Sequence, residues 1–225
     1  CLSRDSTVMQ PRSKGVALYP VNLRIDGRPC VIIGGGRVAA RKAAALLDCG
    51  ARLKVVSPEL DPGFADLGVV FEHIARSYEP GDLAGAFLAI AATDDDMVNR
   101  AVEAEAARRQ LLLNVVDKPG QCNFYVPSSV RRGELMLTVS TGGQLPALAK
   151  RLRRRIEREF PGEWAPALEL LGEARGQVIS RIEDEEKKKE CLTELAALDL
   201  VPLLRDGNET AARSEIEKCI SRYLA

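Results

Sequence analysis

The chain has one histidine, His73, and so cannot build a multi-histidine metal site. It has no apolar run long enough to span a bilayer. It has no Cys-x-x-Cys pair. Its six cysteines (Cys1, Cys30, Cys49, Cys122, Cys191 and Cys219) are scattered. That spacing argues against a zinc knuckle or a disulfide framework and fits a reducing compartment. It has no excess charge of either sign, 32 basic against 32 acidic residues. No global field therefore favours nucleic acid or a membrane surface. The first residues lack the basic-then-apolar pattern of a secretory signal. The expectation is a cytoplasmic chain with neither nucleic acid nor membrane as partner. Residues 1 to about 15 are polar and are expected to form an irregular lead.

What is present is concentrated in Val31-Ile32-Ile33-Gly34-Gly35-Gly36-Arg37-Val38-Ala39-Ala40-Arg41-Lys42. A short apolar run meets three glycines and then a segment with helical spacing. Gly34, Gly36 and Ala39 fit the G-x-G-x-x-G/A dinucleotide fingerprint. The first glycine permits a tight turn, the second lets the backbone approach a pyrophosphate, and the third position needs a small side chain for helix–strand packing. Free N–H groups at the helix start, from Arg37 and Val38 onward, face such phosphates. The alternative is a glycine-rich turn in an ordinary α/β domain.

Elements follow at the spacing such a domain requires. Leu18 to Leu23 reads as an extended lead-in and residues 24–28 as a turn. Cys30 to Ile33 is a strand, Val38 to Cys49 a helix stopped by Gly50, and Leu53 to Val56 a second strand. Val69 to His73 is a shorter third strand. Leu88 to Ala92 and Leu111 to Val116 are continuous apolar runs, as strands buried on both faces are. A helix from Met97 to Arg109 lies between them. Strands alternating with helices predict a Rossmann-type, doubly wound parallel sheet with right-handed connections.

The pattern changes after Asp117. Phe124 to Pro127 and Glu134 to Ser140 are strand-like, separated by a turn at Arg131-Arg132-Gly133. Leu145, Leu148, Leu152 and Ile156 recur at helical spacing. The remainder is helical with breaks near Pro161-Gly162, Pro202 and Asp206-Gly207-Asn208. Three regions are therefore expected: a dinucleotide-binding domain over 16–117, a small strand-containing link over 118–145 and a helical module over 146–225. The charge run from Glu183 to Glu190 reads as a solvated helix face.

Several side chains stand where ligands gather in such folds, beyond the carboxyl ends of the strands. Asp117 ends a buried strand; it is either a reactive carboxylate or a cap for the next turn. Thr93 and Asn114 end neighbouring strands and suit the cofactor. Asp94 or Asp95 suits the cap of the following helix. Ser57 occupies the place where an acid normally holds the adenosine ribose; Pro58 and Glu59 follow, and Glu59 is a substitute acid. His73 reads as a strand-end residue, and Phe160 and Trp164 as helix packing. Asn123, Phe124 and Tyr125 either line a site or pack. Ser140 to Pro146 resembles a loop entering a helix, which then carries Lys150, Arg151, Arg153, Arg154 and Arg155.

Five segments in order resemble one family. They are Gly34 to Lys42, Val56-Ser57-Pro58-Glu59-Leu60, Ala91-Ala92-Thr93-Asp94-Asp95, Asn114-Val115-Val116-Asp117 and Val139 to Ala149. The chain resembles the precorrin-2 dehydrogenases, the dehydrogenase/ferrochelatase module of siroheme synthase, from Tyr19 to Glu159 strongly and over the tail loosely. It is expected to represent that module without the methyltransferase fused to it in some members. The resemblance implies oxidation of precorrin-2 to sirohydrochlorin with NAD as hydride acceptor, and in some members insertion of ferrous iron as a substrate. It implies a homodimer, with the link as the dimerisation region. It places the family's catalytic aspartate on Asp117. A polycarboxylate macrocycle calls for a basic rim, for which Arg131, Thr141, Gly142, Lys150 and Arg153 are the candidates. Thr141 stands where some members carry a phosphorylatable serine. No resident metal is expected. The rival class is a non-enzymatic dinucleotide-sensing regulatory domain, which calls for an acid at Ser57 and has no use for the basic helix.

Overall fold

A computed structural model describes residues 17–224. The expected irregular lead lies outside them. Two compact units are formed, one ending at Val126 and the other beginning at Pro127.

The first unit comprises β1 (Pro29–Ile33), α1 (Arg37–Leu47), β2 (Arg52–Val56), β3 (Glu72–Ile74), β4 (Leu88–Ala91), α2 (Asp96–Arg109) and β5 (Leu112–Val115). The strands form one parallel sheet in the order β3-β2-β1-β4-β5. The central strands β1 and β4 are apolar at successive positions because both faces are covered. Along β1, Cys30 and Ile32 join a cluster with Ala39, Ala43, Leu46 and Phe64. Val31 and Ile33 join another with Val102, Ala106, Leu113 and Val115. Each large aliphatic side chain buried this way contributes roughly 1.5–3 kcal/mol. The strand order reverses direction between β1 and β4, so their carboxyl ends diverge from opposite crossovers. That divergence is where an open α/β sheet offers a crevice.

The third strand begins at Glu72, later than the apolar Val69 and Val70 suggest. Gly68 leaves a 3₁₀ turn (Pro62–Leu67) in the left-handed region, and Val70 is 95% exposed. Asp95 is the cap of α2, its carboxylate accepting from the N–H groups of Met97 (2.8 Å) and Val98 (3.1 Å).

The connection from β3 to β4 is held by a buried acid. Glu105 on α2 accepts from the Tyr78 hydroxyl (2.5 Å), the Gly81 N–H (2.9 Å) and Arg109 Nε (2.7 Å). Burial pushes its carboxyl upward, but these donors outweigh burial and hold it below the ordinary value of 4.5.

The second unit pairs β6 (Ser128–Arg132) with β7 (Leu135–Val139) antiparallel, followed by α3 (Pro146–Glu159). The expected strand over Phe124 to Pro127 is not formed, and Arg131 and Arg132 lie in β6 rather than in the turn. Gly133 makes that turn with φ 56°. The side chain of Arg132 donates to the carbonyls of Phe160 (2.8 Å) and Glu157 (3.2 Å), tying the ribbon to the end of α3. The Phe160 and Trp164 rings pack at 5.5 Å.

Four helices complete this unit: α4 (Trp164–Arg181), α5 (Glu185–Ala196), α6 (Val201–Arg205) and α7 (Glu209–Ser221). Ala167, Leu170, Ala174 and Val178 form one stripe of α4 and pack with Cys191, Leu195, Ile216 and Ile220. The expected break near Pro202 falls between α5 and α6, and Pro202 sits in the first turn of α6, where a proline removes no intrahelical bond. Asp184 caps α5, whose first turns carry the exposed charge run. Among the described residues no helix is long and apolar enough to cross a membrane.

The pH dependence follows from Glu105. A carboxyl held low in the folded chain stabilises it at pH values above the unfolded pKa, and that contribution is lost as pH falls through the folded one. Urea unfolding of the first unit should weaken below pH 4.5, the ordinary glutamate value. Glu105→Gln should lower stability at pH 7 and flatten this acid limb; an unchanged limb would refute the assignment.

Candidate functional site

The turn after β1 shows why glycine stands where it does. Gly34 has φ 111°. Its N–H donates to Val56 O (2.9 Å), and a Cβ on it would meet Ala92 O at 2.4 Å. Gly34 is thus pinched between the carboxyl ends of β2 and β4. Gly35, in the unmarked position of the fingerprint, is as tightly placed: its Cβ would lie 2.0 Å from Glu59 O and 2.6 Å from Ser57 Oγ. Gly36 differs. Nothing lies within 4 Å of the Cβ it lacks, and its φ of −77° suits any residue. Its glycine is required by neither strain nor neighbours. Open space at this position is what a pyrophosphate approaching the backbone needs.

α1 then begins without a side-chain cap and without an acid in its first turn. The first intrahelical bond runs from Ala40 N–H to Gly36 O (3.0 Å). The N–H groups of Arg37, Val38 and Ala39 therefore have no helical acceptor, and the positive end of the helix faces the cleft. Ala39 is fully buried, as close helix–strand packing demands. These features fit a bound dinucleotide.

A cleft of about 520 Å³ is lined by Gly35, Gly36, Ser57, Pro58, Glu59, Leu60, Asp61 and Pro62. Ser57 is buried, and its hydroxyl donates to Glu59 O (2.8 Å). It braces the loop that carries Glu59, an exposed residue of the cleft lining. Asp61 caps the 3₁₀ turn through Gly63 N–H (2.8 Å). His73 lies within β3, with Nε2 2.9 Å from Ser57 O. It belongs to no group of potential metal ligands among the described residues.

On the other side of the switch point, Thr93 accepts from Asp95 N–H (3.2 Å), and its carbonyl accepts from Asn99 Nδ2 (3.0 Å). Asn114 is buried, its amide donating to Phe124 O (3.1 Å). Asp117 stands two residues beyond β5 with φ 59°, and it is exposed. Among non-glycine residues, aspartate is one of the few that adopt this left-handed conformation readily. The next residue, Lys118, forms an ion pair with Asp96 at the start of α2. Lys42, half-buried on α1, closes the glycine-rich segment but has no role in the fingerprint. Burial lowers its ammonium pKa, Arg41 lowers it further, and Asp117 and Cys122 oppose both. Its charge therefore couples α1 to the Asp117 turn.

In the second unit, Thr141 is half-buried and accepts from Leu145 N–H (3.4 Å). Gly142 takes φ 60°. α3 starts with Pro146 and no side-chain cap. Lys150, Arg151 and Arg154 are exposed. Arg153 is tied to Glu157 (2.8 Å) and Arg155 to Glu159 (2.8 Å). Arg131 is exposed on β6.

The sheet, the glycine turn and the open helix start define a dinucleotide-binding Rossmann protein. Comparison with known proteins agrees. The NAD(P)-binding family model matches residues 21–128, and the model for the central part of sirohaem biosynthesis proteins matches residues 132–159. Siroheme synthase of Chromobacterium violaceum is 38% identical over 205 residues, covering 90% of this chain and 44% of that protein. Siroheme synthase of Methylobacillus flagellatus is 39% identical over 204 residues, again 90% of this chain and 44% of the relative. The chain thus spans less than half the length of these relatives. The solved structure of SirC, a precorrin-2 dehydrogenase, superposes with a TM-score of 0.73 at 26% identity, covering 92% of this chain and 100% of that one. The chain is thus similar to siroheme synthases over about 90% of its own length and shares its fold with a precorrin-2 dehydrogenase.

The two outer glycines of the fingerprint should separate in experiment. Gly34→Ala adds strain and a clash, and should destabilise by at least about 1–3 kcal/mol in urea unfolding. Gly36→Ala should leave the unfolding midpoint unchanged but weaken NAD binding by about tenfold or more, roughly 1.4 kcal/mol, in calorimetric titration. Parallel losses of stability and affinity in Gly36→Ala would contradict the open-space assignment.

Proposed function

We propose that the chain is an NAD-dependent dehydrogenase that oxidises precorrin-2 to sirohydrochlorin. The observation that carries this reading is the exposed Asp117 just beyond β5, in the unit that holds the dinucleotide cleft, in a chain 92% of which is matched by SirC. The reaction removes a hydride and a proton from the substrate; bound NAD supplies the hydride acceptor. Gly36 and the first N–H groups of α1 would hold the pyrophosphate. Arg37, Val38, Ser57, Pro58 and Glu59 would hold the adenosine half, with Thr93 and Asn114 beside the strand ends. Asp117 would take the proton that leaves with the hydride. A positioned general base of this kind contributes about 10²–10⁴-fold.

The macrocycle carries carboxylates, so cationic partners and exposed N–H groups suit it. Arg131, Thr141, Gly142, Lys150 and Arg153 are the proposed contacts; among the basic groups, Lys150 and Arg131 are more available than the Glu157-paired Arg153. Residues 118–145 are proposed as a dimerisation link between a nucleotide-binding region over 16–117 and a helical module over 146–225. The active form is proposed as a cytoplasmic homodimer. The relatives' names favour this enzyme over a nucleotide sensor, which would bind NAD and turn nothing over. Ferrous insertion into sirohydrochlorin is the second activity to be assayed in the same preparation.

Anaerobic oxidation of precorrin-2 with NAD tests the proposal. Asp117→Asn should lose about 10²-fold or more in kcat while keeping its unfolding midpoint and NAD affinity. Wild-type protein that binds NAD but never oxidises precorrin-2 would replace the proposal with the sensor. A fully active Asp117→Asn would remove the carboxylate from the mechanism.

A further inference from the structure

β5 lies at one edge of the sheet, so alternate backbone groups have no neighbouring strand. Two consecutive side chains fill that place. Asn123 accepts from Leu113 N–H (2.7 Å) through Oδ1 and donates to Leu111 O (2.7 Å) through Nδ2. Its own N–H donates to Leu113 O (3.1 Å). Cys122 continues the series. Its sulfur accepts from Val115 N–H (3.2 Å) and lies 3.2 Å from Val115 O and 3.3 Å from Lys118 O, either of which can take the thiol proton.

Val115 and Lys118 flank Val116 and Asp117. The thiol of Cys122 therefore spans the very turn that presents the Asp117 carboxylate. Further ties hold the same loop. Lys118 is paired with Asp96, and Gln121 donates to Glu103 on α2 (2.7 Å). Among the described residues no side-chain hydrogen bond or ion pair fixes Asp117, so the backbone turn sets where its carboxylate starts from, with Lys42 as a nearby charge. Burial pushes the Cys122 thiol up from its ordinary value, which keeps the proton on sulfur and the donor available.

We propose that Cys122 and Asn123 are positioning residues for Asp117: they stand in for a missing strand beside β5 and clamp the left-handed turn from which the carboxylate projects. The inference rests on Asp117 being the reactive group. A shift of about 1 Å in a catalytic group costs on the order of 10²-fold in rate.

The test compares Cys122→Ala, Cys122→Ser, Asp117→Asn and the double variant Cys122→Ala/Asp117→Asn in the full chain. The readouts are kcat for precorrin-2 oxidation, NAD affinity and unfolding midpoint. Cys122→Ala should lower kcat about tenfold or more with NAD affinity unchanged. Cys122→Ser, which keeps a donor and an acceptor, should recover most of the loss. The double variant should be no slower than Asp117→Asn, because the thiol acts through the carboxylate. Cys122→Val fills the same space without the hydrogen bonds and carries the comparison if the alanine variant does not fold. Wild-type kcat in Cys122→Ala or Cys122→Val, or losses that multiply in the double variant, overturn the positioning role while leaving Asp117 in place. A fully active Asp117→Asn overturns both.

Discussion

The close approach of three strand ends governs the first unit. β1 ends between β2 and β4, and the backbone leaves it through Gly34 with Ala92 O where a side chain would be. Its N–H is held by Val56 O, and Gly35 O accepts from Asp61 N–H (2.7 Å). The chain can pass only if the first two positions lack a Cβ. Once it passes, α1 must start above the sheet, and the unbonded N–H groups of its first turn are aimed at the crevice. The nucleotide site is thus a consequence of strand packing. Only Gly36 is free of that packing, and its glycine is explained by the ligand.

The outermost strand poses a different problem. A parallel edge strand exposes backbone donors and acceptors that would recruit another chain. Here the chain turns back on itself after β5 and covers the edge with Asn123 and Cys122. The same reversal requires a tight turn, and that turn is where Asp117 sits with positive φ. Protection of the edge and presentation of the carboxylate are one structural event.

Much of this was legible in the residues. The apolar runs at Cys30–Ile33, Leu88–Ala92 and Leu111–Val116 are strands because both faces are covered, and the run length says so directly. The fingerprint located the turn, and Asp95 was among the two residues read as the cap of α2. What failed was local pattern without its distant partner. Phe124 to Pro127 reads as strand-like, but the carbonyl of Phe124 is taken by Asn114 and the preceding side chains are taken by the edge of β5. Arg132 reads as turn because it precedes glycine, whereas its guanidinium grips the end of α3 far along the chain. The constraint on Gly35 and the half-buried Lys42 had no periodic signal at all, since each is defined by what a second strand or a later loop brings to it.

The ribose end of the cleft shows how a departure from the usual pattern can preserve its physics. An acid at the end of β2 ordinarily accepts from the ribose hydroxyls. Here that position is Ser57, and its hydroxyl is committed to Glu59 O. The bond curls the loop so that an acidic side chain stands on the wall two residues later. The charged residues lining the cleft, among those described, are Glu59 and Asp61, both acids. Vicinal hydroxyls suit such a wall, because a carboxylate accepts from both. A 2′-phosphate would be brought beside these acids, and like charges in a partly desolvated cleft are costly. The serine therefore acts as a brace for the loop that carries the acid.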